Sequence, residues 1–344
     1  MNTMPKTFQI PEHLNAHIPA EHRGLRRDQV KMMVVGKDRN PVHSRFELLD
    51  QFLNTGDVLV LNNSRTIPPV LRGSQGNNSV EIRLSRNLSS SQWEALVLGS
   101  VINSKQPIYF PEGVTARITG SGSESPLVSL SFSEAGSSLL SFIYLYGEPV
   151  RYEYIDYPWT LDTYQTVYGS VPGSVEMPSA GRAFTWKMIN YLKTKGVQIA
   201  FIHLHAGLSY YEEDRWPDPK NHPEPYHVPQ DTVKIIQQAK DAGKRIIAVG
   251  TTVVRALETS VNEEGELYAS EGNTSLYVDH HYKHAVVDGL LTGFHEPETS
   301  HLDMLSSFLP VPALFKAYDE ALQCDYLWHE FGDMNLLFSK SDQS

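Results

Sequence analysis

The sequence predicts an α/β protein: a mostly parallel α/β domain with a small β-barrel domain inserted into it. Three observations carry this. From about Pro149 onward, helical and strand-like runs alternate, the pattern of a parallel sheet with crossover helices. Before that, from Ser74 to about Leu145, short apolar or alternating runs such as "VEIRLS", "WEALVLGS", "VTARITG" and "LVSLSF" are divided by Gly, Ser and Asn clusters. That punctuation is the texture of a small all-β unit. Finally, an apolar run, "GDVLVL" at 56–61, precedes the β unit, so the α/β part draws on both ends of the chain. The expected organisation is 1–68 with 150–344 as one discontinuous α/β domain and 69–149 as the barrel.

The elements of the second half follow in order. Residues 185–195 carry apolar side chains at Trp186, Ile189 and Leu192, with Gly196 as the stop. "VQIAFIHLHAG" reads as a strand entering a loop. "DTVKIIQQAKDAGK" reads as a helix with Asp231 as its N-cap and Gly243 after its end. "RIIAVG" is a buried strand and "TTVVRALETS" the next helix. No internal repeat or low-complexity segment interrupts the chain.

Composition narrows the function classes. A chain of 344 residues is long enough for a sizeable core. A net charge of −11 argues against nucleic-acid binding through a uniformly basic surface. A local patch from Arg23, Arg26, Arg27 and Lys31 stays open, against a plain solvated loop. The single cysteine, Cys324, rules out an intramolecular disulfide and a cysteine-rich metal site; it is expected to fill a buried gap. The N-terminal stretch lacks an apolar leader, and "LLSFIYLYG" is too short to span a membrane. A cytoplasmic protein with no membrane contact is expected, acting as a monomer.

Several stretches have chemical potential. In "RIIAVGTTVVRALE" a strand ends at Gly250 and a helix opens on Thr251 and Thr252; free N–H groups and hydroxyls there suit a carboxylate or phosphate. Arg255 lies one turn in, where the helix dipole disfavours a cation. It either pairs with Glu258 or another acid, or holds a ligand carboxylate. His203 and His205 share one face of a strand; a metal pair is one reading, a core hydrogen bond the commoner one. Tyr164, Gln165 and Tyr168 precede a Gly-containing loop and either stack on a base or pack. His295 stands just ahead of Glu296 and Glu298, an acid–base possibility. Asp333 follows a glycine in "FGDMNLLF", where a turn is the simpler account.

Taken together and in this order, these stretches resemble the QueA family, the S-adenosylmethionine:tRNA ribosyltransferase-isomerases, over nearly the whole chain. "GDVLVLNNSRTIPPVLRG" resembles the family's Asn-Asn-Thr-Arg-Val-Ile-Pro-Ala-Arg-Leu stretch and brings in Arg65. "YQTVYG" resembles its Tyr-Gln-Thr-Val-Tyr motif, and "GTTVVRALE" its Gly-Thr-Thr-Ser-Val-Arg-Ser-Leu-Glu. "TGFHEPETSHLDML" is similar to Thr-Asn-Phe-His-Leu-Pro-x-Ser-Thr-Leu, and "FGDMNLLF" to Tyr-Gly-Asp-Ala-Met. His222 and Glu224 resemble a His-x-Glu pair, and His43 matches a family histidine. The resemblance implies an α/β domain with an inserted barrel. It also implies transfer of the ribosyl part of S-adenosylmethionine, as co-substrate, to a 7-aminomethyl-7-deazaguanine base in the tRNA anticodon region. Adenine and methionine leave, and no prosthetic group or metal is expected.

The family segment Pro-Thr-Ala-Gly-Leu-His-Phe is Pro178-Ser179-Ala180-Gly181-Arg182-Ala183-Phe184 here. Ser209 stands where the family has a second glycine, Gly293 for an Asn and Glu296 for a Leu. Turn and scaffold motifs are kept while these positions differ. The candidate catalytic residues are therefore His205, His295 and Glu224, with His205 and His295 expected in one pocket. The candidate substrate-binding residues are Arg65, Tyr164, Gln165, Tyr168, Pro178, Ser179, Gly181 and Arg182, then Gly250, Thr251, Thr252, Arg255 and Asp333. Arg182 and Ala183 are expected to face the acceptor. The competing readings are a paralogue with a different, non-tRNA acceptor, a catalytically silent ligand-binding protein, and a His-x-His metal hydrolase.

Overall fold

A computed structural model describes residues 8–36, 38–99, 102–212, 215–296 and 300–339. Its centre is the strand Val58–Asn62, whose five residues are all buried. Parallel neighbours flank it, Gln198–Leu204 on one side and Ile246–Val249 on the other, and Gly289–Gly293 continues in parallel beyond the latter. Side chains alternate between two covered faces, so these strands read as apolar runs without polar alternation. Val58 and Val60 pack with Val233, Ile236, Val254 and Leu257 of two helices, Gln230–Asp241 and Thr251–Thr259. Leu59 and Leu61 face the opposite layer, with Phe46, Leu49, Ile189 and Leu192.

The sheet has nine strands and is mixed. Its four central strands are parallel as expected. Met334–Phe338 joins antiparallel to Gly289–Gly293, and Lys31–Val35 then pairs with it in parallel. Strands Pro41–Arg45 at one edge, and Glu224–Val228 and Ser270–Thr274 at the other, are antiparallel additions. The chain between Asn62 and Gln198 holds the second unit, a closed barrel of six strands lying within 70–132. The helix Gly136–Tyr146 follows it, its Leu139, Phe142 and Ile143 joining the barrel core. Val175, Leu208 and Tyr211, from outside the barrel strands, belong to the same core cluster, so barrel and sheet meet through packed side chains.

Local details correct the sequence reading at three points. Trp186 opens the helix Trp186–Thr194 but is 51% exposed; Met188, Ile189 and Leu192 form the buried face. Asp231 lies inside the first turn of Gln230–Asp241, and Pro229 occupies the cap position without a side-chain bond. Cys324 is exposed, because it caps the end of the helix Val311–Gln323. No helix among the described residues is long and apolar enough to cross a membrane.

Candidate active site

A cavity of about 940 Å³ opens where several parallel strands end. The segments that leave Gln198–Leu204, Ile246–Val249 and Gly289–Gly293 all reach it, through Ala206–Tyr210, Thr251–Thr252 and Phe294–Glu296. Open α/β sheets bind ligands at this end, because chain leaving the sheet there splays apart and leaves a crevice.

One wall is the start of the helix Thr251–Thr259. Gly250 has φ 95°, a left-handed value that turns the strand sharply into the helix. Asn62 Nδ2 donates to Thr252 Oγ1 at 3.1 Å, tying that hydroxyl to the central strand. Arg255 lines the same wall, and its guanidinium is already engaged. It forms an ion pair with Glu224 and donates to the carbonyls of Leu276 and Thr274, at 3.1 and 3.2 Å. Glu224 also accepts from Gly207 N at 3.0 Å. The acid local to Arg255 in sequence, Glu258, instead accepts from the backbone amides of Ala285, Val286 and Val287.

A second wall carries imidazoles. His295 Nε2 is 2.8 Å from Thr292 Oγ1, and its ring lies 4.6 Å from that of His301. Burial, reinforced by neighbouring histidines, drives the His295 pKa well below its usual value. Burial and the Arg255 charge lower His301 to about 4. Both rings are therefore neutral at pH 7 and are able to accept a proton.

The third wall pairs carboxylates with tyrosines. Glu176 Oε1 accepts from Ser209 N at 2.6 Å and from the Tyr152 hydroxyl, which itself lies 2.8 Å from Ser209 Oγ. The Tyr154 hydroxyl donates to Glu330. The Tyr152 and Tyr154 rings stack 6.2 Å apart, and Tyr154 stacks on His329 at 4.1 Å. Burial raises Glu176 to about 7, against the hydrogen bonds from Tyr152 and Ser209. Burial likewise raises Glu330. Three polar atoms on cavity-lining residues, Thr66 Oγ1, Tyr164 OH and His222 Nε2, have no hydrogen-bond partner among the described residues.

The cavity gathers His295, Glu224, Tyr164, Ser179, Thr251, Thr252 and Arg255 from the residues the sequence pointed to. Others serve the scaffold. Gln165 exchanges two hydrogen bonds with the backbone of Thr66, at 3.1 and 2.7 Å. Asp333 accepts from the amides of Lys31 and Leu327, at 2.7 and 2.8 Å. Arg65 is exposed and donates to Gly169 O. Pro178 precedes the turn Ser179–Gly181. Tyr168 is buried, and its hydroxyl rests where a Cβ on Gly181 would stand, at 1.9 Å. Only glycine fits at 181, so this turn is fixed by packing. Glu298 lies outside the described residues.

Two expectations are corrected. His205 does not line the cavity. Ser64 Oγ holds its Nδ1 at 2.7 Å, the ring sits under Gly173, and burial lowers its pKa to about 4. The chain turns into the cavity one residue later, at Ala206. His205→Ala is therefore expected to lower stability by about 1–3 kcal/mol, from a lost hydrogen bond and a void. Its turnover should stay within a few-fold of wild type; denaturant midpoints and initial rates check this.

Arg182 and Ala183 do not line this cavity either. Arg182 is buried, forms an ion pair with Glu21 at 3.1 Å and donates to Thr163 O at 3.0 Å. Its charge reaches Glu330 from behind the wall. Ala183 is part of the hydrophobic cluster on one face of the sheet. Restoring the family residues, Arg182→Leu with Ala183→His, is expected to cost about 2–4 kcal/mol through lost bonds and overpacking. A thermal melt against wild type tests this.

The residues missed at the sequence level are chiefly Glu176, Glu330, Tyr152 and Tyr154. They are single polar residues in irregular chain, with no motif spacing. The repeated tyrosines in "RYEYIDY" were the one available signal, and the structure brings Tyr152 and Tyr154 together through a turn, closed by Ile155 N donating to Tyr152 O at 2.9 Å, rather than through a strand.

An α/β sheet whose strand ends open into a large, mostly apolar cavity set with a few polar and charged side chains, with a barrel packed beside it, defines a small-molecule site of the two-unit kind. The chain belongs to the queuosine biosynthesis protein family, whose model matches residues 5–337. It is 33% identical to the S-adenosylmethionine:tRNA ribosyltransferase-isomerase of Desulforamulus reducens, over 96% of this chain and 98% of that one. Against the protein of that name from Clostridioides difficile the identity is 32%, over 98% of this chain and 100% of the other. The crystal structure of an S-adenosylmethionine tRNA ribosyltransferase from Thermotoga maritima is similar, with a TM-score of 0.55 and 30% identity. It covers 96% of this chain and 98% of that one.

Proposed function

We propose that this protein transfers and isomerises the ribosyl moiety of S-adenosylmethionine onto a 7-aminomethyl-7-deazaguanine base in tRNA. The product is epoxyqueuosine, with release of adenine and methionine. The reading rests on one observation: a chain that matches the family from residue 5 to 337 carries, at its strand ends, a cavity of about 940 Å³. That volume lies at the upper end for ligand pockets, suiting a nucleoside and an acceptor base together. In this reading 1–68 and 150–344 form the catalytic unit, 69–149 the barrel, and the enzyme acts as a cytoplasmic monomer on the anticodon region.

The roles follow from the walls. The helix start at Thr251 and Thr252 receives the methionine carboxylate, since free amides and the positive dipole end favour an anion. The sulfonium acidifies the hydrogens on the adjacent ribosyl carbon. A neutral imidazole takes one of them, and His295 is assigned that role because burial keeps it unprotonated at pH 7. Glu224 positions Arg255 and the Gly207 amide.

The test is incubation with S-adenosylmethionine and tRNA bearing the 7-aminomethyl base, followed by mass analysis. Adenine, methionine and a heavier RNA are expected together. Adenine release without a change in RNA mass would replace tRNA by another acceptor, and no adenine release would leave only ligand binding. His295→Ala should slow adenine release by about 10²–10⁴-fold, with S-adenosylmethionine affinity nearly unchanged by calorimetry.

A further inference from the structure

The cavity wall around Glu176 and Glu330 does something that the reading above leaves unassigned. Both carboxylates line the cavity, and each is held by the hydroxyl of one of two stacked tyrosines. No ion pair to a Lys or Arg is found for either one among the described residues. Beside them stands Tyr164, only 4% exposed, which lines the cavity and whose buried hydroxyl has no partner among the described residues. A buried hydroxyl without a partner costs free energy, and a ligand group would relieve that cost. The Tyr164 ring packs on that of Phe331, the residue after Glu330, with centroids 5.4 Å apart.

We propose that Glu176, Glu330 and Tyr164 form the recess that takes the ammonium arm of the acceptor base, while the Tyr152–Tyr154 face carries its ring. This rests on the tRNA-base reading above. Acidic side chains with no Lys or Arg ion pair among the described residues, set beside an aromatic surface, match a flat heterocycle bearing a primary ammonium. The methionine ammonium of S-adenosylmethionine lacks that flat neighbour. The ammonium is also the group that must lose a proton before its nitrogen bonds to the ribosyl carbon. Glu176 receives it: the substrate N–H bond breaks, an O–H bond forms on the carboxylate, and the nitrogen keeps the electron pair. The charge balances, because ammonium and carboxylate become amine and carboxylic acid. Burial supports this assignment, since it leaves Glu176 with a pKa of about 7. The charged and titratable groups facing the pair are Tyr152, Tyr154, Tyr164, His329, Glu296 and Arg182.

Binding of two tRNAs tests this, one carrying 7-aminomethyl-7-deazaguanine and the other the uncharged 7-cyano base. Wild type is expected to prefer the first by about tenfold or more. Glu176→Gln and Glu330→Gln should each remove most of that preference. Tyr164→Phe, which keeps the ring and its packing, should reduce it several-fold. Affinity for S-adenosylmethionine, measured separately by calorimetry, should move less than about threefold. Retained preference in Glu176→Gln overturns the proposal, as does an equal loss of S-adenosylmethionine affinity, which would assign the recess to the methionine ammonium. Wild-type adenine release with the aminomethyl tRNA is scored in parallel. Its absence defeats the functional reading, whereas its presence with an unaltered preference defeats only the recess.

Discussion

Glu176→Gln is expected to stabilise the protein at pH 8 while slowing turnover by about 10²–10⁴-fold, the range for losing an acid–base group. The argument starts from burial, which raises the Glu176 pKa from the usual 4.5 to about 7. Between those values the folded protein holds a proton that the unfolded chain has released. Stability therefore falls as pH rises through this window, and the loss is complete above pH 7. Glutamine does not titrate and escapes the loss. Both hydrogen bonds at this side chain, from Tyr152 and from Ser209 N, land on Oε1, so the amide oxygen is able to keep both. A shift of this size corresponds to at most about 3 kcal/mol, and contact with cavity water reduces it to about 1–2 kcal/mol. At pH 4.5 and below the variant and wild type should converge. Denaturant midpoints across pH 4–8.5 give the first readout, and adenine release the second. A stability difference that does not change with pH would show that the carboxyl is not strained by burial.

The fold was legible because its signals are local. "GDVLVL", "RIIAVG" and the punctuated runs between 70 and 132 became strands where their apolar patterns put them, while Gly136–Tyr146 is a helix, and the helix after Gly250 begins on the expected threonines. The cavity was legible only where a residue sits at a strand or helix end, as Thr251 and His295 do. Its carboxylate wall was not. Glu176 meets Ser209, 33 positions away, and Tyr154 meets Glu330, 176 positions away. Such pairs arise from the packing of irregular segments, for which neither a 3.6 nor a 2.0 residue period exists. His205 exposes the limit of the strand-end rule from the other side. The rule names the end of the sheet at which chemistry gathers, but not the face from which a given side chain leaves.

Arg255→Ala is expected to act mainly on folding, with a cost of about 3–5 kcal/mol. A ligand clamp would behave differently: its removal weakens binding and leaves the melting temperature alone. Here the side chains of Arg255 and Glu224 are 15% and 11% exposed and form an ion pair. Removing one partner strands the other charge in a poorly solvated wall, which is far costlier than the net worth of the pair. The same guanidinium holds the carbonyls of Thr274 and Leu276, and so fixes a segment that lines the cavity at Leu276 and Tyr277. Loss of S-adenosylmethionine affinity should follow as a consequence of that segment loosening. Arg255→Lys should recover only part of the stability, because one ammonium cannot match three separated acceptors in a fixed fork. The decisive comparison is a double-mutant cycle. Glu224→Gln in the Arg255→Met background should cost much less than Glu224→Gln alone, since the carboxylate it removes is then already unpaired. If Arg255→Ala leaves the denaturant midpoint unchanged and only ligand affinity falls, the guanidinium is a ligand group first and its pairing with Glu224 is incidental.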